Sequence, residues 1–347
     1  MHDLAIITVS TNEERWLRPC LTTVFDHMGD ISADVIVVDN ESTDGTAALV
    51  CDEYPGARVV PSRNHGFSHA NNRALMTVDA RYVLFLNPDT EIVDGTFADL
   101  VRAMDERPGV GLIGCRQING QGDLDTTIRH FPNALRALGD ALSAERIPHR
   151  PSWLGERVLD PAVYDREVSC DWTSGSFMFA RREAIESAGF LDERYFMYSD
   201  ETDLCRRIKT QGWEVRHLPL MTIIHHEGKA GFKPHIEALN AYTRVMYARK
   251  FFSPAHRVAY AGAVMLRHVV RSVYGGSGER GALRKAASRQ TVAVMLGRAP
   301  VPFAALTSPH AVLATGRPPA DARPAAAPAA APPAAAPAPA VRRDAAA

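Results

Sequence analysis

Cysteine is scarce in this 347-residue chain: Cys20, Cys51, Cys115, Cys170 and Cys205 are scattered, odd in number and never spaced as C-x-x-C. That excludes a disulfide framework or a zinc knuckle and predicts free thiols in a reducing compartment. No G-x-G-x-x-G follows the first apolar run, so no glycine turn cradles a dinucleotide pyrophosphate, which disfavours a nicotinamide-dependent oxidoreductase. The start, MHDLAIITVS, has no basic n-region, and no apolar run is long enough to span a bilayer. A cytoplasmic protein is expected. The net charge is -1, so no global field draws the chain to nucleic acid, and no nucleic-acid partner is expected. What is present is a composition 46% hydrophobic and 23% charged, which suits a globular enzyme of one or two domains.

The organising stretch is Arg81–Glu91, RYVLFLNPDTE. Tyr82–Leu86 reads as a strand buried on both faces, and Pro88, lacking an N–H, ends it. Asn87 and Asp89 then sit at the carboxyl end of a buried strand, where ligands bind in open α/β sheets. The alternative is an ordinary Pro-Asp turn. Upstream, Leu4–Val9, Asp34–Val38 and Arg58–Pro61 read as strands alternating with helices over 13–27, 46–54 and 68–78. This βαβ rhythm predicts a mostly parallel, doubly wound sheet. The first two strands also end in polar residues, Ser10-Thr11-Asn12 and Asp39-Asn40-Glu41-Ser42. Asp39 at its strand end can accept hydrogen bonds from a base or a ribose, and Asp89 can reach phosphates through a divalent ion. A helix cap and turn explains Ser42, Asp44 and Gly45 well but accounts poorly for Asp39 and Asn40, which precede the cap.

Further along, a helix over 95–107, a strand over 110–115 and a hairpin turn at 119–122 precede a long irregular excursion to about residue 169, with one short helix near 134–142. Arg129 in this excursion reads as a surface arginine, contact with an anionic ligand being the alternative. Phe177–Ala180 is a buried strand, and Arg182–Ala188 a helix that Gly189 closes. An aromatic loop, Phe190–Tyr198, leads into Ser199-Asp200-Glu201-Thr202-Asp203, a helix start with three acids. Acids there offset the helix dipole, or one of them is a base held at a pocket wall. Glu214–Leu218 and Met221–Ile224 read as two short strands, the second ending at His225-His226, a pair that is either structural or metal-ligating. From Lys233 the pattern is helical and basic, with Arg244, Arg249, Lys250, Arg257, Arg267 and Arg271 among aromatic residues. Such helices cap the domain with a solvated basic face or lie on anionic lipid. The Ala/Pro-rich stretch over 315–347 cannot form a core and reads as a disordered tail.

In order and spacing, these motifs resemble the family 2 glycosyltransferases of GT-A fold, and most of all their bacterial rhamnosyltransferase-like branch. The likeness runs from Leu4 to Gly228 and rests on Val37–Thr46, Asn64-His65-Gly66-Phe67 with Asn71-Asn72, Asn87-Pro88-Asp89, Trp172–Ser176, Phe190–Tyr198, Asp200–Leu204 and His225-His226. The resemblance implies a Rossmann-like α/β GT-A domain over 1–232, its nucleotide-binding half ending near residue 115 and its acceptor half filling 116–232. A helical extension follows over 233–300. It implies donor contacts from Thr8, Ser10, Asn12, Asp39, Asn40, Ser42, Asn64, Gly66, Phe67, Asn71, Asn87 and Asp89, with Asp39 reading the base. Mg²⁺ or Mn²⁺ is expected on Asp89 with His225 or His226, Asn87 standing where the family's D-x-D motif has its first aspartate. Glu201, or Asp200 beside it, is the expected base, the order of the pair being reversed from the family's Glu-Asp. Acceptor contacts are expected from Trp172, Ser174, Gly175, Tyr198 and Asp203. The implied activity is inverting transfer from a nucleotide sugar, with dTDP-L-rhamnose the leading donor. The acceptor is a saccharide or a polyprenyl-diphosphate-linked sugar of envelope polysaccharide, met at the inner membrane face through a peripheral contact. A transferase using a UDP-hexose, and an inactive nucleotide-sugar-binding homologue, are the alternatives.

Overall fold

The computed structural model describes residues 1–144, 147, 150–226 and 234–303. The tail over 315–347, the 232/233 boundary and Gly228 lie outside the described residues. The first half follows the expected rhythm: β1 (His2–Ser10), α1 (Glu14–Asp26), β2 (Ala33–Asn40), α2 (Thr46–Glu53), β3 (Ala57–Ser62), α3 (Phe67–Leu75) and β4 (Ala80–Leu86). Then come β5 (Thr90–Asp94), α4 (Phe97–Asp105), β6 (Val110–Asn119), β7 (Leu124–Asp125), α5 (Ala134–Ala141) and β8 (Val168–Ser169). The chain continues through β9 (Phe177–Arg181), α6 (Arg182–Ala188), α7 (Asp200–Thr210), β10 (Glu214–His225), α8 (Pro234–Phe251), α9 (Pro254–Tyr274) and α10 (Gly278–Met295). Gly189 ends α6 with φ +80°, the left-handed cap expected of it.

One sheet runs through the molecule in the order β3-β2-β1-β4-β9-β6-β10-β5. Its buried strands alternate faces with period two. Leu4, Ile6, Tyr82, Leu84 and Leu86 pack under α1, α2 and α4. Ala5, Ile7, Val83 and Phe85 pack under α3, α6 and α7. Strands β1 to β3 wind outward in one direction, and the chain then returns past β1 to lay down β4 in parallel on its other side. The order therefore reverses between β1 and β4, and a crevice opens at their carboxyl ends. The residues beyond those ends are Thr11 and Asn87.

The second half departs from the parallel pattern. β9 enters antiparallel between β4 and β6, and β5 pairs antiparallel with β10. The two short strands expected over 214–224 are a single strand, β10, whose pairing with β6 breaks between His217 and Thr222. Pro219 lies in that break, where its missing N–H leaves no ladder bond unmade.

Of the basic residues expected on a solvated face, Arg249 is exposed on α8, but three others are drawn into ion pairs. Arg244 pairs with Glu156 and Asp140, Lys250 with Asp192 and Asp203, and Arg271 with Glu237, all turned toward the protein. The outward side of α9 is apolar instead: Val258, Leu266, Val269, Val270, Val273 and Tyr274 are 36–82% exposed and share one side at 3.6 residues per turn. Among the described residues no helix is long and apolar enough to cross a membrane.

Candidate active site

A cleft of about 1180 Å³ opens at the carboxyl ends of β1 and β4 and runs past the start of α7 to the walls of α8 and α9. Its donor end is built by pairing. β5 runs antiparallel to β10 with Thr90 opposite His225, which sets His225 beside the Asn87-Pro88-Asp89 turn. His225 Nε2 lies 3.5 Å from Asp89 Oδ1 and 3.4 Å from Asn87 Nδ2. The neighbouring His226 faces elsewhere: its Nε2 is 2.7 Å from Glu91 Oε1 and its ring packs on Trp16 at 4.6 Å. Alternation along a strand separates the two histidines, so one of the pair reaches the cleft.

Among the described residues no group of three or more His, Cys, Asp or Glu side chains gathers as a protein metal cage. Asp89 with His225 is a two-donor set, one carboxylate and one imidazole. That fits a Mg²⁺ or Mn²⁺ ion whose remaining positions are filled by phosphate oxygens and water.

The other expected donor residues divide into two groups. Asn40, Asn64, Gly66, Phe67, Asn87 and Asp89 line the cleft. Asn40 Nδ2 donates to Asn64 Oδ1 at 3.0 Å, and Asn40 Oδ1 is buried without a hydrogen-bond partner. Thr8, Ser10, Asn12, Asp39, Ser42 and Asn71 are not among the lining side chains. Asp39 Oδ1 accepts from the Ser42 N–H three residues on, at 3.1 Å. Asn12 Oδ1 accepts from the Thr43 N–H at 2.7 Å, and Asn71 Nδ2 donates to the Phe67 carbonyl at 2.9 Å. These side chains hold the loops that shape the cleft. Gly66, at φ +99°, is required by packing: a Cβ there would strike the Phe196 backbone, whose carbonyl accepts from the Phe67 N–H at 2.8 Å.

Across from the donor end, the Asn87 N–H donates to the Ser176 carbonyl at 3.0 Å. Ser174, Gly175, Tyr198, Asp200 and Glu201 line the cleft from there. Tyr198 and Ser199 are both left-handed, at φ +68° and +62°, and costly as non-glycine residues at roughly 1 kcal/mol or more each. This double turn aims the first turn of α7 into the cleft. Ser199 stands at the N-cap of α7 without capping it by its side chain; its Oγ bonds Thr243 Oγ1 at 3.3 Å instead.

Asp200 is buried, and Glu201 is partly open to the cleft. Burial, then the adjacent Glu201 charge, pushes the Asp200 carboxyl well above the usual carboxylate range. Burial also raises Glu201, against a hydrogen bond from Asp200 that favours its ionised form. Of the two acids, Asp200 is the one pushed further toward its protonated form.

Two expected acceptor residues do other work. Asp203 is fully buried and ion-paired to Arg207 and Lys250, each at 2.6 Å. Trp172 is buried behind the wall, donates from Nε1 to the His130 carbonyl at 3.0 Å, and carries the Arg129 guanidinium over its ring at 5.4 Å. Within the aromatic loop Tyr195 is buried, and Phe196, Met197 and Tyr198 reach the cleft. The far wall, unforeseen from sequence, comes from Asn240 and Arg244 of α8 and Val264, Arg267 and His268 of α9. Their signal was the basic residues spaced along the late helices.

The family model of glycosyl transferase family 2 matches residues 5–170. Over 228 residues the chain is 30% identical to the N-acetylglucosaminyl-diphospho-decaprenol L-rhamnosyltransferase of Mycobacterium tuberculosis, covering 61% of this chain and 73% of that protein. It is 25% identical over 264 residues to the rhamnosyltransferase WbbL of Escherichia coli, covering 71% and 96%. Its fold is similar to that of GalNAc-T7, solved with UDP, GalNAc and Mn²⁺, with a TM-score of 0.57 at 14% identity over 86% of this chain and 56% of that one. The sheet with its switch-point cleft is the GT-A arrangement, and the chain belongs to glycosyl transferase family 2 as a rhamnosyltransferase-like glycosyltransferase.

Proposed function

We propose that this chain transfers L-rhamnose from dTDP-L-rhamnose, with inversion, to a polyprenyl-diphosphate-linked N-acetylglucosamine in envelope polysaccharide synthesis. The observation that carries the reading is one continuous cleft with Asp89 and His225 at one end and the Glu201 carboxyl group in its wall. The two relatives named as rhamnosyltransferases support the donor, and the mycobacterial one supports the acceptor.

The Glu201 carboxylate takes the proton of the acceptor hydroxyl as that oxygen attacks the anomeric carbon. The bond from the anomeric carbon to the donor diphosphate breaks on the opposite face, and displacement inverts the configuration. Asp200, keeping its own proton, holds Glu201 in place by donating a hydrogen bond. Ser174, Gly175 and Tyr198 orient the acceptor sugar and exclude water. Asn40 and Asn64 orient the nucleotide. Asp89 and His225 would hold Mg²⁺ or Mn²⁺, which supplies positive charge beside the departing diphosphate when bound.

The apolar side of α9 is the face that would rest on the inner leaflet. α10, packed on α9, adds the exposed Arg280, Arg284 and Arg289 for anionic headgroups.

The test is to incubate the protein with dTDP-L-rhamnose, Mn²⁺ and a short-prenyl diphosphate-linked N-acetylglucosamine, reading the product's anomeric configuration by NMR. A rhamnosylated product of inverted configuration is expected. A product formed from a UDP-hexose alone would overturn the donor. Binding of nucleotide sugars with no product from any would make the chain a binding homologue.

A further inference from the structure

Arg129 was expected at the surface, and its place is the cleft wall. It lies on a short extended segment between two neighbours, bridged antiparallel to Arg157 on one side and to Trp172 on the other. Its Nε is closed to solvent with no hydrogen-bond partner. Among the described residues no carboxylate lies within ion-pair distance of Arg129, Arg157 or Arg267, all of which line the cleft. Arg244 nearby is the contrast, neutralised by Glu156 and Asp140.

Two arginines directly opposite each other are unfavourable cross-strand neighbours, and a desolvated guanidinium without an acceptor is more so. Burial, then the charge of Arg157, lowers the Arg129 pKa, though a guanidinium stays charged at neutral pH. Such an arrangement is relieved by an anion able to accept from both forks, and a diphosphate presents oxygens for that. The Trp172 ring beneath Arg129 fixes its direction.

The contacts also order the cleft. Asn87 bonds Ser176, Gly175 lies against Glu201, and the Arg129 charge acts on Glu201. These contacts lead from the Asn87 turn through Ser176 and Gly175 to Glu201 and on to Arg129.

We propose that Arg129 and Arg157 form an anion subsite that takes the diphosphate of the acceptor, with Arg267 adding charge from α9. This rests on the acceptor reading above. The subsite fixes the acceptor sugar at Glu201 by holding the group attached to its anomeric carbon.

Titration calorimetry with inorganic pyrophosphate is the first test, on wild type, Arg129→Gln, Arg157→Gln and, as a donor-end control, Asp89→Ala. Pyrophosphate should bind wild type and Asp89→Ala alike and bind each arginine variant about tenfold or more weakly, the loss of a charge-assisted hydrogen bond. Unchanged binding in the arginine variants, or loss in Asp89→Ala alone, would overturn the subsite.

Transfer kinetics give the second test, with short-prenyl diphosphate-linked N-acetylglucosamine against an alkyl N-acetylglucosaminide without the diphosphate. Arg129→Gln should lower kcat/KM for the first about tenfold more than for the second, any effect through Glu201 being common to both, with Arg129→Lys between. Equal loss on both acceptors, or weaker dTDP-L-rhamnose binding, would make Arg129 a structural or donor residue. Pyrophosphate bound at the arginines by a wild type that transfers no rhamnose would reject the transferase reading and leave the anion subsite standing.

Discussion

The Asp200–Glu201 pair makes a prediction that separates two adjacent acids. If Glu201 is the base, Glu201→Gln removes proton acceptance and should lower kcat about 10²–10⁴-fold. That range corresponds to roughly 3–5 kcal/mol of barrier at 1.36 kcal/mol per decade. Asp200→Asn keeps an N–H donor facing Glu201, as the protonated carboxyl does, and should cost less than about tenfold, a fraction of the general-base term. Initial rates at saturating donor over pH 5 to 9 provide the assay. Because burial raises Glu201, the acid limb of kcat should lie above the ordinary glutamate value of about 4.3. Stability gives an independent reading. Asp200 binds its proton more tightly folded than unfolded, so its contribution is present below the unfolded value near ~3.9 and fades as pH rises through the raised folded value. The melting temperature of Asp200→Asn relative to wild type should therefore grow with pH. If Asp200→Asn is the more damaged enzyme, the assignment of roles is reversed.

Asp89→Ala and His225→Ala should each abolish the metal-dependent part of the thermal shift given by dTDP-L-rhamnose, whereas His226→Ala should keep it; a shift intact in Asp89→Ala would remove the metal assignment. Gly66→Ala should lose at least about 1 kcal/mol by denaturant unfolding, from its left-handed φ and the clash with the Phe196 backbone, and wild-type stability would contradict that contact. Lys250→Met leaves Asp192 and Asp203 with Arg194 and Arg207 alone and should cost about 3 kcal/mol. Burial opposes the Asp192 charge, but Arg194 and Lys250 prevail and hold its pKa at about 2. Its contribution to stability is present above the unfolded value of ~3.9 and lost as pH falls toward 2, so Lys250→Met should move acid unfolding to higher pH. Leu266→Glu with Val269→Glu on α9 should abolish flotation with vesicles rich in anionic lipid and leave transfer to a water-soluble acceptor intact; flotation unchanged would remove the membrane face.

The parallel half of the sheet was legible because its strands are short apolar runs separated by helices, and the switch point follows from their order. The position of Asp89 followed from Pro88 ending β4. Less legible was the reversal of β9, since a strand buried on both faces has the same composition in either direction. The separation of His225 from His226 needed the pairing of β5 with β10, a contact between segments more than a hundred residues apart. The partners of Asp39 and Asp203 within the protein were not legible, because a carboxylate bound to its own fold and one presented to a ligand look alike in sequence. Arg129 is the reverse case, for an arginine's exposure depends on whether other elements are laid over it.

The far wall of the cleft bears on how acceptor choice can change. The loops that face the nucleotide come from the first ninety residues, whereas Asn240, Arg244 and Arg267 arrive from helices at the other end of the chain. In the proposed reading, a chimera exchanging residues 234–303 between relatives would redraw the acceptor pocket, provided Phe303, which stacks on Phe196 at 4.6 Å, is kept. The graft would have to carry its counter-charges: Glu156 and Asp140 travel with Arg244, and Asp192 and Asp203 with Lys250. Residues that must be exchanged together in this way form one structural unit of the cleft wall, one that cuts across the linear order of the chain.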